Sequence, residues 1–546
     1  MYIDTSYSTQ AGRKYHRHLL RESFREKGKV KKRTIANLSY CSEEEIAAIK
    51  LALKNKKNLA LLTNIKDVKT KQGMRVGAIL SLKAIAGRVG LTRALGNGRQ
   101  GRLALWQVLA RLIGQGSRLK AVRLAESHAV CDILGLAAFN EDHLYENLAW
   151  LSQKQEAVEK RLFRQRYGSE PPQLFLYDVT SSYLEGVQNV LAAFGYNRDG
   201  KKGKMQLVIG LLTGPEGAPV AVRVFEGNTP DRQTVAEQVG ILADSFGLKD
   251  VTLVGDRGML KQTEIELLNE EWFHYITAIT KPQIEKLIRE GRFQMAMFEE
   301  KLCEVKCDGI RYILRRNPER VKELDITRES KLTKVEALLM TKNLYLAGHP
   351  RAKVEVAQRG IQEKIKKLKI DGWAKSESKE RSLELVIDDT ARKKEAKLDG
   401  CYVVKTDLST EKAKPELIHD RYKALSQVEQ AFRTFKSGHL EVQPTFVWTE
   451  PSTRGHVFVV MLAYLLEQEL DKYWNALEVT VADGIDELGS LRGIEITIGE
   501  ASCQKVPETD GLNKQLLDAA NIKLPDMLPL RRIHVATRKK LVSQRH

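Results

Sequence analysis

LFLYDVTSS, residues 174–182, sets four apolar side chains in a row, then Asp178, then a hydroxyl-rich exit. An apolar run of this length, bounded by polar residues, reads as a strand buried on both faces in a sheet covered by helices. Downstream, VTLVGDRGM (251–259) repeats the pattern, an apolar strand that ends on Asp256 with Gly258 allowing a tight exit. Between the two, KMQLVIGLL and PVAVRVFEG are joined through the Gly/Pro turn TGPEGA and read as a hairpin. TPDRQTVAEQVGILADSFG then supplies a helix, with Thr229 as its cap and Pro230 at its first position. LKQTEIELLNEEW is a second helix and FHYITAIT a further strand. The order strand, strand, strand, helix, strand, helix, strand predicts a mixed α/β sheet. After an intervening stretch, GCYVVKTD at 400–407 resumes the apolar strand pattern.

A helix follows at once. In YKALSQVEQAFRTFK (422–436), a turn of about 100° per residue puts Tyr422, Leu425, Glu429, Phe432 and Lys436 on one stripe. A carboxylate among Leu and Phe loses hydration, at a cost of several kcal/mol unless a cation or donor meets it. Carboxylates at the ends of neighbouring strands converge on one edge of a sheet, and a helix packed over that edge aims a third among them. Asp178, Asp256 and Glu429 are therefore the candidate catalytic and metal-binding trio. Three such charges raise one another's pKa values unless divalent ions are shared. Mg²⁺ prefers hard oxygen ligands, and two ions about 3.5–4 Å apart suit in-line displacement at phosphorus. Taken singly, each aspartate also reads as a turn former or helix cap.

Charge points to the same class of substrate. With 89 Lys and Arg against 70 Asp and Glu, the chain carries a formal +19, which favours a polyanionic partner. The excess gathers at 12–33, at 351–397 and in the tail LRRIHVATRKKLVSQRH, and separated basic surfaces suit a long ligand better than a small one. The longest strongly apolar run, HVFVVMLAYLL at 456–466, is well short of the roughly 18–20 residues that a membrane span needs. The N-terminus lacks the apolar core of a secretory signal, so a cytoplasmic location is expected, with no membrane partner. Six cysteines without a CxxC give no zinc signature and read as structural.

Elsewhere, residues 12–40 read as a basic hairpin, and SEEEIAAIKLALK as a helix capped by Ser42 with Glu45 completing a capping box. A short strand-like piece is expected near Arg75 to Leu82, and GNGRQG, ending at Gly101, reads as a linker. From Arg102 to Tyr167 the pattern is helical, and ALWQVLARLIGQGSRLKAVRLAESH reads either as a helix-turn-helix carrying Arg118, Lys120 and Arg123 or as part of a bundle. The expected organisation is an N-terminal region at 1–100, a helical candidate DNA-binding region at 101–168, a core at 169–280 and 400–480, an insertion at 281–399, and a C-terminal region at 481–546. Gly438 is expected to close the Glu429 helix. His439 and His456 are read as structural.

DVTSSYLEG, GYNRDGKKGKMQLVIGLLTGPEGAPVAVRVFEGNTPD, LVGDRGM and YKALSQVEQAFRTFK together resemble the DDE transposases of insertion sequences in the IS4 superfamily, most closely the IS1634-like group. The resemblance implies an RNase H-like mixed-sheet catalytic core, interrupted by an insertion and preceded by a mainly helical N-terminal DNA-binding region. It places the acidic triad on Asp178, Asp256 and Glu429. Of the signature Tyr, two residues, Arg, three, Glu, six, Lys, this chain keeps Tyr422, Glu429 and Lys436, with Leu425 where the arginine is expected. It further implies Mg²⁺, with Mn²⁺ as a substitute, double-stranded DNA as terminal inverted repeats and target, a homodimer in the synaptic complex, and a nucleoid-associated protein. The residues expected to touch DNA are Tyr422, Lys436, Arg433, Arg257, Lys31, Lys32, Arg33, Arg118, Lys120 and Arg123. The competing readings are an RNase H-like nuclease without strand transfer and a non-catalytic DNA-binding derivative.

Overall fold

A computed structural model describes residues 1–546 except 11–12, 58–67, 437–439, 444, 499–500 and 538–546. Gly438, His439 and the end of the basic tail thus lie outside the described residues. The chain forms two compact units: residues 1–85, 117–141 and 470–546 make one, and residues 86–116 and 142–469 the other.

The first unit begins with strands rather than with the mainly helical region that the resemblance implied. β1 (Tyr2–Gln10), β2 (Arg13–Glu26) and β3 (Lys29–Asn37) form an antiparallel three-stranded sheet. The expected hairpin is β2 and β3, and β1 adds to its free edge. Ser42 does cap the helix Glu43–Lys54, with the reciprocal Glu45 bond in place. β4 (Lys69–Arg75) lies earlier than the strand expected near Arg75 to Leu82, and Gly77–Arg88 is a helix. GNGRQG is not a linker, since Gly98 caps the helix Arg99–Ile113.

The second unit is organised on one sheet. Its first strands are β5 (Leu174–Tyr183), β6 (Gln206–Thr213), β7 (Pro219–Glu226), β8 (Thr252–Gly255) and β9 (His274–Ala278). β10 (Cys303–Cys307) and β11 (Ile310–Arg316) follow, then the separate hairpin of β12 (Ala374–Lys379) with β13 (Ser382–Ile387), and finally β14 (Cys401–Thr406). The spatial order is β10-β11-β14-β9-β8-β5-β6-β7. β5, β8 and β9 run parallel, and the other neighbours pair antiparallel. β10 and β11, which the sequence reading assigns to the insertion, extend the sheet through β14. Beyond them the helices Pro318–Gly348 and Val354–Lys367 and the β12–β13 hairpin bury a core of their own around Ile361, Ile365 and Trp373. In the first unit, β4 is joined by β15 (Arg492–Ile498), β16 (Ala501–Lys505) and β17 (Met527–Leu528).

β6 is buried along its whole length, as its apolar sequence requires, with helices on both faces of the sheet. One cover is the helix Glu141–Tyr167, whose Phe163 stacks on Phe246 at 4.1 Å and joins the core of Phe175, Tyr177 and Leu253. That cover is pinned by charge. Glu159, 1% exposed, accepts from Arg223 of β7 at 2.9 and 3.0 Å and from the Val222 N–H at 3.2 Å. Burial pushes the Glu159 carboxyl up, against the pull of Arg223. Removing the guanidinium strands a buried carboxylate, so Arg223→Met is expected to cost about 3 kcal/mol. A fall in the urea midpoint of the full chain checks this, with Glu159→Gln/Arg223→Met recovering part of the loss.

Candidate active site

β5 carries more than the six residues whose apolarity announces it. It continues through the hydroxyl-rich exit to Tyr183, because Val179 to Tyr183 keep pairing with β6. Asp178 is therefore inside a strand, at the point where its other neighbour stops. β8 runs parallel to β5 with Tyr177 beside Gly255, and ends there. Asp256 is the next residue, in a turn closed by the Met259 N–H donating to the Asp256 carbonyl at 3.0 Å. The two aspartates thus follow one residue after a matched pair, on adjacent strands.

The third carboxylate comes from the helix Leu425–Lys436, which packs on β5 and β6. Two expectations change here. The 422–436 stretch is not one helix: Pro415–Lys423 ends at Ala424, and the Gln427 N–H donates to the Ala424 carbonyl across the break. Tyr422 belongs to the earlier helix. Nor does Glu429 sit in the apolar stripe. The buried face is Leu425, Val428, Ala431, Phe432 and Phe435, and Glu429 stands exposed on its flank. Leu425, at the signature arginine's position, is a core side chain, 8% exposed.

Electrostatics tie the three acids together. The half-buried Asp178 carboxyl is pushed up to about 7, chiefly by desolvation and further by the negative charges of Asp256 and Glu429. The Val179 N–H, which donates to Asp178 Oδ1 at 2.8 Å, and the Arg198 guanidinium pull the other way. Tyr422 donates its hydroxyl to Asp256 Oδ1 at 3.3 Å, and its own pKa is raised by burial and by Asp256 and Glu429. Among the described residues this trio does not draw its oxygens within 4.8 Å of one another, the closeness expected around a single ion. Carboxylates on opposite sides of an ion pair about 3.5–4 Å wide stand farther apart than that. Hard oxygen donors whose mutual repulsion lacks a full counter-charge suit divalent ions of the Mg²⁺ kind.

Two residues of GYNRDGKK were not singled out from the sequence. Arg198 pairs with Asp231 and lies near enough to Asp178 to act on its charge. Asp199 accepts from Lys436 Nζ at 2.7 Å, with both side chains largely buried. Their only sequence signal is a charged Asn-Arg-Asp-Gly turn between two apolar strands. Beside them an open cleft of about 410 Å³, lined by Tyr196, Arg198, Asp231, Arg232 and Lys261, reaches Gly258.

Other expected contacts divide. Arg257, Arg433 and Lys120 are exposed and Arg123 is half-buried, but Arg118 is buried, 5% exposed, and so is withdrawn from any surface. On the β1–β3 sheet, strand alternation puts Lys31 and Arg33 on one face, paired with Glu26 and Glu22. Lys32 is on the other, with Arg17, Arg21 and Arg25.

The family model of the transposase DDE domain matches residues 169–466, and that of the N-terminal domain of IS1634 family transposases matches residues 3–61. No curated protein matches. Among solved structures, a chain of the cryo-EM piggyBac transposase synaptic complex with hairpin DNA is 7% identical over 76% of this chain and 76% of that one, with a TM-score of 0.34. No described helix is long and apolar enough to cross a membrane.

The raised Asp178 pKa carries a stability consequence. A carboxyl with a folded pKa near 7 and an unfolded value near 3.8 destabilises the fold once ionised. The penalty is absent below the unfolded value, grows between the two, and is complete above about 7. Asp178→Asn is therefore expected to raise the melting temperature of metal-free protein at pH 8. The gain disappears near pH 4, as thermal scans at the two pH values will show.

Proposed function

Because this chain belongs to the DDE-domain transposases, of the IS1634 type, we propose that it binds the terminal inverted repeats of its own element, cuts phosphodiester bonds there, and joins the freed 3′ ends to target DNA. The observation that carries this reading is the nearness of Asp178, in β5, to Asp256, just past the end of parallel β8, and to Glu429 of a helix packed over β5. An antiparallel β5-β6-β7 meander continued by parallel β8 and β9 supports an RNase H-like core.

Asp178, Asp256 and Glu429 would hold divalent metal, Mg²⁺ or in its place Mn²⁺, which when bound activates the attacking water or 3′-hydroxyl and stabilises the leaving oxygen. The remaining roles belong to the protein. Tyr422, with its hydroxyl on Asp256 and its ring largely buried, positions that carboxylate rather than stacking on a frayed DNA end. Lys436, paired with Asp199, fixes the 195–204 segment against the Glu429 helix. Exposed Arg257, next to Asp256, attracts the phosphate backbone, as do Arg433, Lys120 and Arg123. Exposed Phe446 and Trp448 follow Thr445, which bridges to Leu184 just beyond β5, and offer faces for an unpaired base. A homodimer would bring two ends together, and the working location would be the nucleoid.

Purified protein, labelled end DNA, a plasmid target and Mg²⁺ test the reading. Cleaved ends and joined product are expected, lost on chelation and restored by Mg²⁺ or Mn²⁺. Asp178→Asn, Asp256→Asn and Glu429→Gln should each lower single-turnover cleavage by about a hundredfold to a thousandfold while DNA binding persists. Full cleavage in any of the three would sink the catalytic assignment, and cleavage without joining would leave a nuclease. The basic sheet face has its own test. Arg17→Ala/Arg25→Ala/Lys32→Ala should make the salt dependence of end binding shallower by up to about three counterions, whereas Lys31→Ala/Arg33→Ala leaves it nearly unchanged.

A further inference from the structure

The N-terminal sheet holds a cluster that the transposition chemistry does not use. His16 and His18 stand two apart on β2 and so share a face, with ring planes 7° from parallel and centroids 6.1 Å apart. Glu43, the first residue of the helix Glu43–Lys54, approaches the same face. One ligand atom from each of the three lies within 4.8 Å of the other two. Among the described residues they form the one such group of three.

We propose that His16, His18 and Glu43 bind one first-row transition-metal ion of the Zn²⁺ type, with a fourth position left to water. His18 is 4% exposed, and its Nδ1 lies 3.0 Å from the Thr5 hydroxyl on β1. A Nδ1–H donated to Thr5 leaves the lone pair on Nε2, and it is Nε2 that faces Glu43 Oε1 at 3.5 Å. In that tautomer two acceptors face each other and a cation between them relieves the repulsion, whereas in the other an Nε2–H meets Glu43. The second imidazole, that of His16, brings the set to three donors close enough to share one metal ion. The hydroxyl behind His18 is the outer-shell partner that ligating histidines ordinarily have.

The donor set fixes the class of ion. Two imidazoles and one carboxylate suit Zn²⁺, Co²⁺ or Ni²⁺, whereas Mg²⁺ prefers oxygen alone. Bonds of about 2.0–2.1 Å place tetrahedral ligands about 3.4 Å apart, so a trio within 4.8 Å has at most about 1.4 Å to close. His16 and Glu43 are exposed and able to move, and His18 and the helix start are held, the latter by the Ser42–Glu45 capping box. The ion would clip the helix to the strand whose opposite face presents Arg17, Arg21 and Arg25.

Full-length Asp178→Asn/Asp256→Asn protein, stripped with chelator and kept in millimolar Mg²⁺, removes competition from the acidic trio. Titration with Zn²⁺ against a chelating dye should find one equivalent at micromolar affinity or tighter, and Co²⁺ should give visible ligand-field bands. His16→Gln and Glu43→Gln, both at exposed positions, should each weaken that equivalent by about tenfold or more. Cys41→Ser, a control for the nearby thiol, should leave it intact. Absence of the equivalent, or its persistence unchanged in His16→Gln and Glu43→Gln, overturns the site and leaves a His18–Glu43 ion pair.

Discussion

Three negative charges gathered at one place on a sheet oppose the fold that gathers them. Asp178 feels this most, since it is half-buried and repelled by both other acids. What holds the arrangement is the backbone: parallel pairing of β5 with β8 places Asp178 and Asp256 side by side, and the packed face of the Glu429 helix fixes the flank from which its exposed acid projects. Hydrophobic burial along β5, β6 and that helix offsets the electrostatic cost.

The surroundings of the trio are arranged to orient rather than to neutralise. Arg198 is shared with Asp231, Lys436 with Asp199, and the Tyr422 hydroxyl meets Asp256 without a formal charge. Each of these cations is already shared with another carboxylate, so the offset they give the trio is partial. The same economy appears on the N-terminal sheet. Acidic partners quench Lys31 and Arg33 on one face, while Arg17, Arg25 and Lys32 remain exposed on the other. A net charge of +19 thus becomes a directed surface because strand alternation sorts it.

Much was legible in the chain itself. Continuous apolar runs of strand length marked β5, β6, β8, β9 and β14, since nothing but a doubly covered sheet buries them; Ser42 and Glu45 announced a helix start; and the two strand-borne aspartates were conspicuous as the polar ends of apolar runs. These signals are local, set by side-chain periodicity and by the few residues able to satisfy a helix end. The sequence by itself therefore determined most of the element types and the mixed sheet.

Tertiary structure alone decided the rest. That β5 runs on past Asp178 depends on β6 lying beside it; that Glu429 is exposed depends on which neighbours the helix covers; and that Arg118 is buried and β10–β11 join the main sheet depends on contacts between segments far apart in sequence. The partnerships of Arg198 with Asp231 and of Lys436 with Asp199 are of the same kind. The physical reason is that burial and pairing belong to the space between elements, and one strand's hydrogen-bonding edge or one helix's flank does not say what will occupy it.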